Sequence, residues 1–167
     1  SVGVTASGSI VTYTVTGLTN TTPYYFKVKA INASNQAGEY SNQRTATPVY
    51  QGPGWYVAVA DSSGSASNEG SKTSPMLNLT DAVTAASTGD TIYIGAGTHQ
   101  YSSASNWNIP FDGSKTLVIK GAGRDATILD AQQKHRHFYF SANSNNSLLD
   151  TTFKIMDLTM KNGRPQT

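Results

Sequence analysis

Apolar and polar positions alternate over residues 9–15 ("SIVTYTV") and again over 24–30, where Tyr24, Phe26, Val28 and Ala30 fall on one side and Tyr25, Lys27 and Lys29 on the other. Side chains of a strand point alternately to its two faces, so both stretches predict strands. "GLTNTTP" between them reads as a turn, "NASNQAGE" as a loop, and 43–48 as a third short strand stopped by Pro48. The stretch 49–54 ("VYQGPG") has the Gly and Pro content of a boundary.

Beyond it, 55–60 ("WYVAVA") predicts a strand and 61–75 a long polar loop. Leu79, Ala82, Val83 and Ala86 then follow the i, i+3, i+4, i+7 spacing of one helix face, which predicts a helix over 79–87. Asn78 or Thr80 can cap it, Asp81 suits its positive end, and Gly89 ends it. Strands are predicted within 90–99 and over 115–123, 126–132, 137–142 and 153–163, and 101–111 reads as a loop. Leu117, Ile119 and Gly121 resemble Leu158, Met160 and the Asn162-Gly163 turn, which predicts coils of roughly 20–25 residues in a solenoid. The expected fold class is mainly β with one helix.

Composition narrows the function classes. Only 13% of the 167 residues are charged, about half the usual share, and Ser, Thr, Asn, Gly and Ala take their place. Residues 1–50 carry three Lys/Arg against one Asp/Glu, and the remainder nine against nine, so there is no electrostatic footprint for nucleic acid. The absence of cysteine excludes disulfides, thiolate metal sites and a Cys nucleophile. No apolar run approaches the roughly 18 residues of a membrane helix, so membrane insertion is not expected.

Two stretches carry resemblances. "GLTNTTPYYFKVKAINASNQAGEYSNQRTATP" resembles the second half of a fibronectin type III domain, with Leu18, Tyr24, Phe26, Val28, Ala30, Asn32, Gly38 and Ser41 in the family's places. The resemblance implies that Tyr24 is the corner tyrosine, bonded back to the nearby backbone. A complete sandwich has seven strands and only three are legible, so residues 1–48 are expected to be a partial domain that needs help to be ordered. "WYVAVADSSGSASNEGSKTSPMLNLTDAVTAASTGDTIYIGAGTH" resembles the N-terminal cap of a right-handed parallel β-helix of the pectin-lyase-like superfamily. Pro75, Ala82, Ala85, Ala86, Gly89–Ile92, Gly97 and Thr98 match it, and "LVIKGAGRDATILDAQ" and "DLTMKNG" look like its first coils. That division gives 1–48 as partial fibronectin type III domain, 49–54 as linker and 55–167 as β-helix start.

Candidate chemistry is sparse. Lys120, Arg124 and Lys161 can line a sugar-binding face, and Trp107 can stack on a sugar ring. His135 and His137 would share a face if extended, and such a pair can bind a metal. Asp61, Glu69 and Asp81 can offer oxygens to calcium without any EF-hand spacing. For each, the plainer reading is a solvated coil edge, an exposed turn or a polar loop. Leu18, Tyr24, Trp55, Val83 and Asn162 are expected to be structural, with Trp55 at the domain junction, Asp90 capping a turn, and Asn162 bonding within its turn or to an Asn of the next coil.

The resemblances imply structural or adhesive modules of a secreted or cell-surface multidomain bacterial protein, with no complete active site and no cofactor in this chain. The enzyme alternative is the N-terminal part of a polysaccharide lyase or glycoside hydrolase whose catalytic coils lie beyond residue 167, where the resemblance allows calcium. The third alternative is a carbohydrate-binding module. Partners on these readings are a polysaccharide or cell-surface glycan and a secretion or surface-anchoring partner.

Overall fold

The computed structural model describes residues 12–59, 62–101, 109–111, 114–140 and 151–165. It is mainly β with one helix, contains both antiparallel and parallel sheets, and divides into two compact units, Ser1–Val49 and Tyr50–Thr167.

In the first unit, β1 (Tyr24–Phe26) pairs antiparallel with β2 (Arg44–Ala46), Tyr25 opposite Thr45. The predicted strand over 24–30 is cut short. Val28 exchanges bonds with Ser41 instead: its carbonyl accepts from Ser41 N–H at 2.7 Å, and its N–H donates to Ser41 Oγ at 3.1 Å. A side chain has replaced a main-chain partner, so the ladder stops there. The loop is closed by Asn32, whose Oδ1 accepts from the N–H groups of Ser34 and Gln36. Residues 12–16 carry no strand where the alternation predicts one, and 9–11 lie outside the described residues. Alternation prepares two faces, but a strand also requires a neighbouring backbone. None of the described residues of this unit is buried. Val28 is 70% and Tyr25 64% exposed, while Leu18, Tyr24 and Phe26 are half-buried.

The second unit is built from repeated passes through parallel sheets. β3 (Gly54–Val57), β4 (Thr91–Ile94), β7 (Val118–Gly121) and β10 (Lys154–Met156) form one sheet in the order β10-β7-β4-β3. β5 (Gly97–His99), β8 (Thr127–Asp130) and β11 (Thr159–Lys161) form a second, and β6 (Ile109–Phe111) and β9 (Phe138–Phe140) a third. The chain visits the sheets in the same order each time: β4, β5, β6, then β7, β8, β9, then β10, β11. Parallel pairing in register stacks equivalent positions. Trp55, Ile92, Ile119 and Ile155 form one inward column, and His99, Leu129 and Met160 another.

Three sequence expectations need correction. Ile119 pairs with Ile155, not with Met160, and successive passes advance 27 residues from Ile92 to Ile119 and 36 from Ile119 to Ile155 rather than 20–25. The single strand expected over 153–163 is two, in different sheets, because Asp157 takes a left-handed conformation (φ 56) and turns the corner. The stretch 101–111 is not all loop: β6 lies at its end and pairs with β9, although Pro110 lacks an N–H. Pro110 is tolerated because β6 has one neighbour among the described strands.

The helix α1 (Leu79–Ala85) packs against β3 and β4 with Leu79, Ala82 and Val83 buried. Asn78 occupies the N-cap position, and its side-chain amide donates to Asp81 Oδ2 at 2.9 Å rather than accepting from the helix backbone. The C-terminal end is closed by Lys115. Its Nζ donates to the carbonyls of Val83 and Ala86, each at 2.9 Å. A cation on those free carbonyls satisfies them and complements the helix dipole. At the other extreme of the stack, the inward side chains of the last pass are only partly covered: Ile155 and Leu158 are half-buried and Met160 is 48% exposed.

Candidate functional site

The outward faces of β3, β4, β7 and β10 form a second column of Tyr56, Tyr93, Lys120 and Met156. Tyr56 and Tyr93 stack, with ring centroids 5.0 Å apart and planes 18° from parallel. Parallel strands lie about 4.8 Å apart, so identical side chains in register are placed at stacking distance by the backbone itself. Tyr56, Tyr93 and Lys120 of this column line an open groove of about 330 Å³. Its floor is where the chain leaves the strands, at Gly95, Gly121 and Ala122, and its far side is the loop bearing Ser62, Ser63 and Lys72. The floor is glycine for a steric reason. A Cβ on Gly121 would lie 2.1 Å from the Asp157 carbonyl oxygen.

Of the predicted ligand-binding residues, Lys120 lines this groove and makes a 3.9 Å ion pair with Asp157, both side chains about half exposed. Arg124 lies in the turn between β7 and β8, 84% exposed, beside its sequence neighbour Asp125. Lys161 is on β11, in a different sheet from Lys120, and faces Asp130 at 3.5 Å. The three cations therefore lie on two different sheets and a turn. Alternation gave each an outward direction but not which sheet it belonged to. Trp107 lies outside the described residues, as does Asp61.

The structural residues are placed as follows. Tyr24 Oη accepts from Thr19 N–H at 3.0 Å, a bond that favours the phenolate and lowers the tyrosine's pKa. Trp55 is buried in the core of the second unit, its indole N–H donating to Asp90 Oδ2 at 2.8 Å. The same oxygen accepts from Ser87 N–H at 2.9 Å, so Asp90 ties the turn after α1 to β3. Asn162 (φ 55) reaches back a full pass rather than bonding in its own turn or to another Asn: its amide donates to Asp130 Oδ1 at 2.8 Å.

Asp130 is the densest polar junction, and the sequence reading passed over it. Besides Asn162, its carboxylate accepts from Gln132 N–H at 3.0 Å and Gln100 Nε2 at 3.0 Å, with Lys161 alongside. Gln100, Asp130 and Lys161 belong to three successive passes, so one carboxylate pins their register. The converging donors, Asn162 first, lower its pKa to about 2. A lowered folded pKa means that this stabilisation is complete above the ordinary carboxylate range and is lost as pH falls toward 2. Wild-type protein should therefore lose stability in melts between about pH 4 and pH 2. Asp130→Asn, less stable at neutral pH, should show a shallower decline over the same interval.

Asp81 is held by Asn78, and His137 Nε2 is bonded to the Leu129 carbonyl at 3.0 Å. His135 and His137 sit in the turn before β9 rather than on an extended strand. No three His, Asp or Glu side chains converge to hold a metal ion among the described residues. His99 is fully buried, bonded through Nε2 to the Gly95 carbonyl, and burial lowers its pKa, so it serves as a neutral core residue. No helix among the described residues is long and apolar enough to cross a membrane.

Tyr93 and Lys72 were also missed as lining residues. The signal for Tyr93 was present: Trp55-Tyr56-Val57, Ile92-Tyr93-Ile94 and Ile119-Lys120-Gly121 repeat one in-out-in triplet. No family model, curated protein or solved structure matches the chain.

Proposed function

We propose that the second unit is the capped start of a right-handed parallel β-helix of the pectin-lyase-like kind, and that the first is the C-terminal half of a fibronectin type III domain. Both are structural or adhesive modules of a secreted or cell-surface multidomain bacterial protein, and this chain has no complete active site. The observation that carries the reading is the repeated order of strands through the parallel sheets, with Trp55, Ile92, Ile119 and Ile155 stacked inward and α1 over the first strands. The Tyr24–Thr19 bond and the β1–β2 pair support the fibronectin half. The apolar side chains the first unit leaves exposed support the view that it is ordered by further strands or a partner.

A polysaccharide-cleaving enzyme needs an acid, a base and a charge stabiliser within reach of one bond. Lys120, Arg124 and Lys161 are dispersed, and the carboxylates beside them are engaged as counter-ions. Incubated with pectin, alginate or a glycosaminoglycan, the chain should produce no rise in ultraviolet absorbance from unsaturated sugar ends. A rise that disappears in Lys120→Ala, Arg124→Ala or Lys161→Ala would make it an enzyme in its own right.

A further inference from the structure

Asn162 is the one asparagine of the chain followed by glycine, and the fold places it where a change in its side chain is felt a full pass away. Asn162 and Gly163 are exposed, at a corner where Asn162 takes a left-handed conformation (φ 55). The turn between β8 and β9 holds this corner from both sides. The Asn162 carbonyl accepts from Gln133 N–H at 2.7 Å, and Arg164 N–H donates to the His135 carbonyl at 2.9 Å. Between those two bonds, the Gly163 N–H has no acceptor among the described residues. The His137 ring lies against Gly163, close enough that an added Cβ would be 3.0 Å from its Nδ1. His137 Nε2 is bonded to the Leu129 carbonyl and so carries the ring hydrogen, which leaves the lone pair on Nδ1. A basic nitrogen therefore stands beside an unpaired backbone N–H. Next to it is the Asn162 amide, whose Nδ2 donates to Asp130 Oδ1 at 2.8 Å. That bond engages the nitrogen that would leave, not the carbon that would be attacked.

We propose that Asn162 is a site of spontaneous deamidation, driven by the Gly163 nitrogen with His137 as its base, and that the product unpins the last pass from Asp130. Nδ1 of His137 takes the Gly163 amide proton, the bond from Gly163 N to Asn162 Cγ forms, the Cγ–Nδ2 bond breaks, and ammonia leaves with a proton. Solvent water then opens the cyclic imide at either carbonyl, to aspartate or to an isoaspartyl linkage. Glycine suits the attack because no side chain shields its nitrogen. The aspartate product sets a carboxylate against the Asp130 carboxylate in place of a donor. Lys161, 3.5 Å from Asp130, is then a single charge set against two, and Gln100 is neutral. The turn between β8 and β9 adds Lys134, His135 and His137 to the surroundings. Repulsion between the carboxylates is absent where they share a proton and grows as pH rises through their range, so the damage is greatest at neutral pH.

The test is slow incubation of the folded full chain at neutral pH, followed by peptide mass spectrometry that separates isoaspartyl from aspartyl products. Asn162 should gain about one dalton ahead of every other asparagine and give both products. His137→Gln should slow the conversion several-fold in the folded chain and leave it unchanged in urea. Asn162→Asp, which supplies the aspartyl product directly, should melt several degrees below wild type at neutral pH, and the gap should narrow as the pH is lowered into the carboxylate range. An Asn162 that stays intact while other asparagines convert would overturn the site. An unchanged rate in folded His137→Gln would remove the base. An Asn162→Asp protein that melts like wild type at neutral pH would overturn the unpinning.

Discussion

Gly121→Ala should cost the second unit more than any other single methyl group added to it at a strand end. The new Cβ would sit 2.1 Å from the carbonyl oxygen of Asp157, 2.9 Å from its carbonyl carbon and 2.8 Å from Leu158 Cβ. These are mostly backbone atoms, so no side-chain rotation relieves the clash. The corner at Asp157 must move, and with it the register of β10 on β7 and of β11 on β8. Overpacking of this kind costs about 1–3 kcal/mol, and a backbone obstacle belongs at the upper end. Amide exchange in Lys154–Met156 and Thr159–Lys161 should speed up sharply while β3 and β4 stay protected. Gly38→Ala in the first unit, where the added Cβ would meet only the Ala30 carbonyl at an ordinary 3.7 Å, should leave the melt unchanged. A Gly121→Ala protein that melts like the wild type would mean that the corner does not lie against β7.

Val83→Asp is the second large effect. Val83 is 7% exposed on the face of α1 that covers β3 and β4, within the cluster containing Trp55, Ile92 and Leu117. A carboxylate there loses its water without gaining a partner and costs about 3 kcal/mol, or roughly 10 °C in melting temperature for a unit of this size. Thr84→Ala, one residue along and exposed, should stay within about 0.5 kcal/mol of wild type. An equal effect of the two substitutions would mean that α1 does not cap the stack.

What was legible in the sequence was local. Leu79, Ala82 and Val83 announce their helix face by spacing alone, and they are the residues found buried. Ile92 and Ile94, or Ile119, stand out as inward positions because their neighbours Tyr93 and Lys120 are polar or amphipathic. What was not legible depended on which strand lies beside which. Ile119 stacks on Ile155, 36 residues further along, and nothing in either strand encodes that spacing. Asp157 bends the chain through a left-handed corner, yet it sits in a stretch that reads as one continuous strand. Lys115 closes a helix 29 to 32 residues before it, and Asp130 gathers donors from 30 and 32 residues away on either side. Such contacts exist only once the passes are stacked. The candidate site suffered in the same way: Lys120 was found by type, but its companion Lys72 comes from another pass and became visible only with the register.

That register is the centre of the account, and the absence of native cysteine makes it directly measurable. Residues paired across parallel strands have Cα atoms about 4.8 Å apart, inside the 4.4–6.8 Å that a disulfide spans. Tyr93 pairs with Lys120, and Lys120 with Met156. Double variants Tyr93→Cys/Lys120→Cys and Lys120→Cys/Met156→Cys, mildly oxidised as folded monomers, should each close an internal disulfide, seen as a loss of 2 Da in mass and faster migration on a non-reducing gel. Tyr93→Cys/Ile119→Cys, whose side chains leave opposite faces of the sheet, should remain reduced. Closure of that control pair with failure of the other two would place every side chain on the wrong face and contradict the stacked passes.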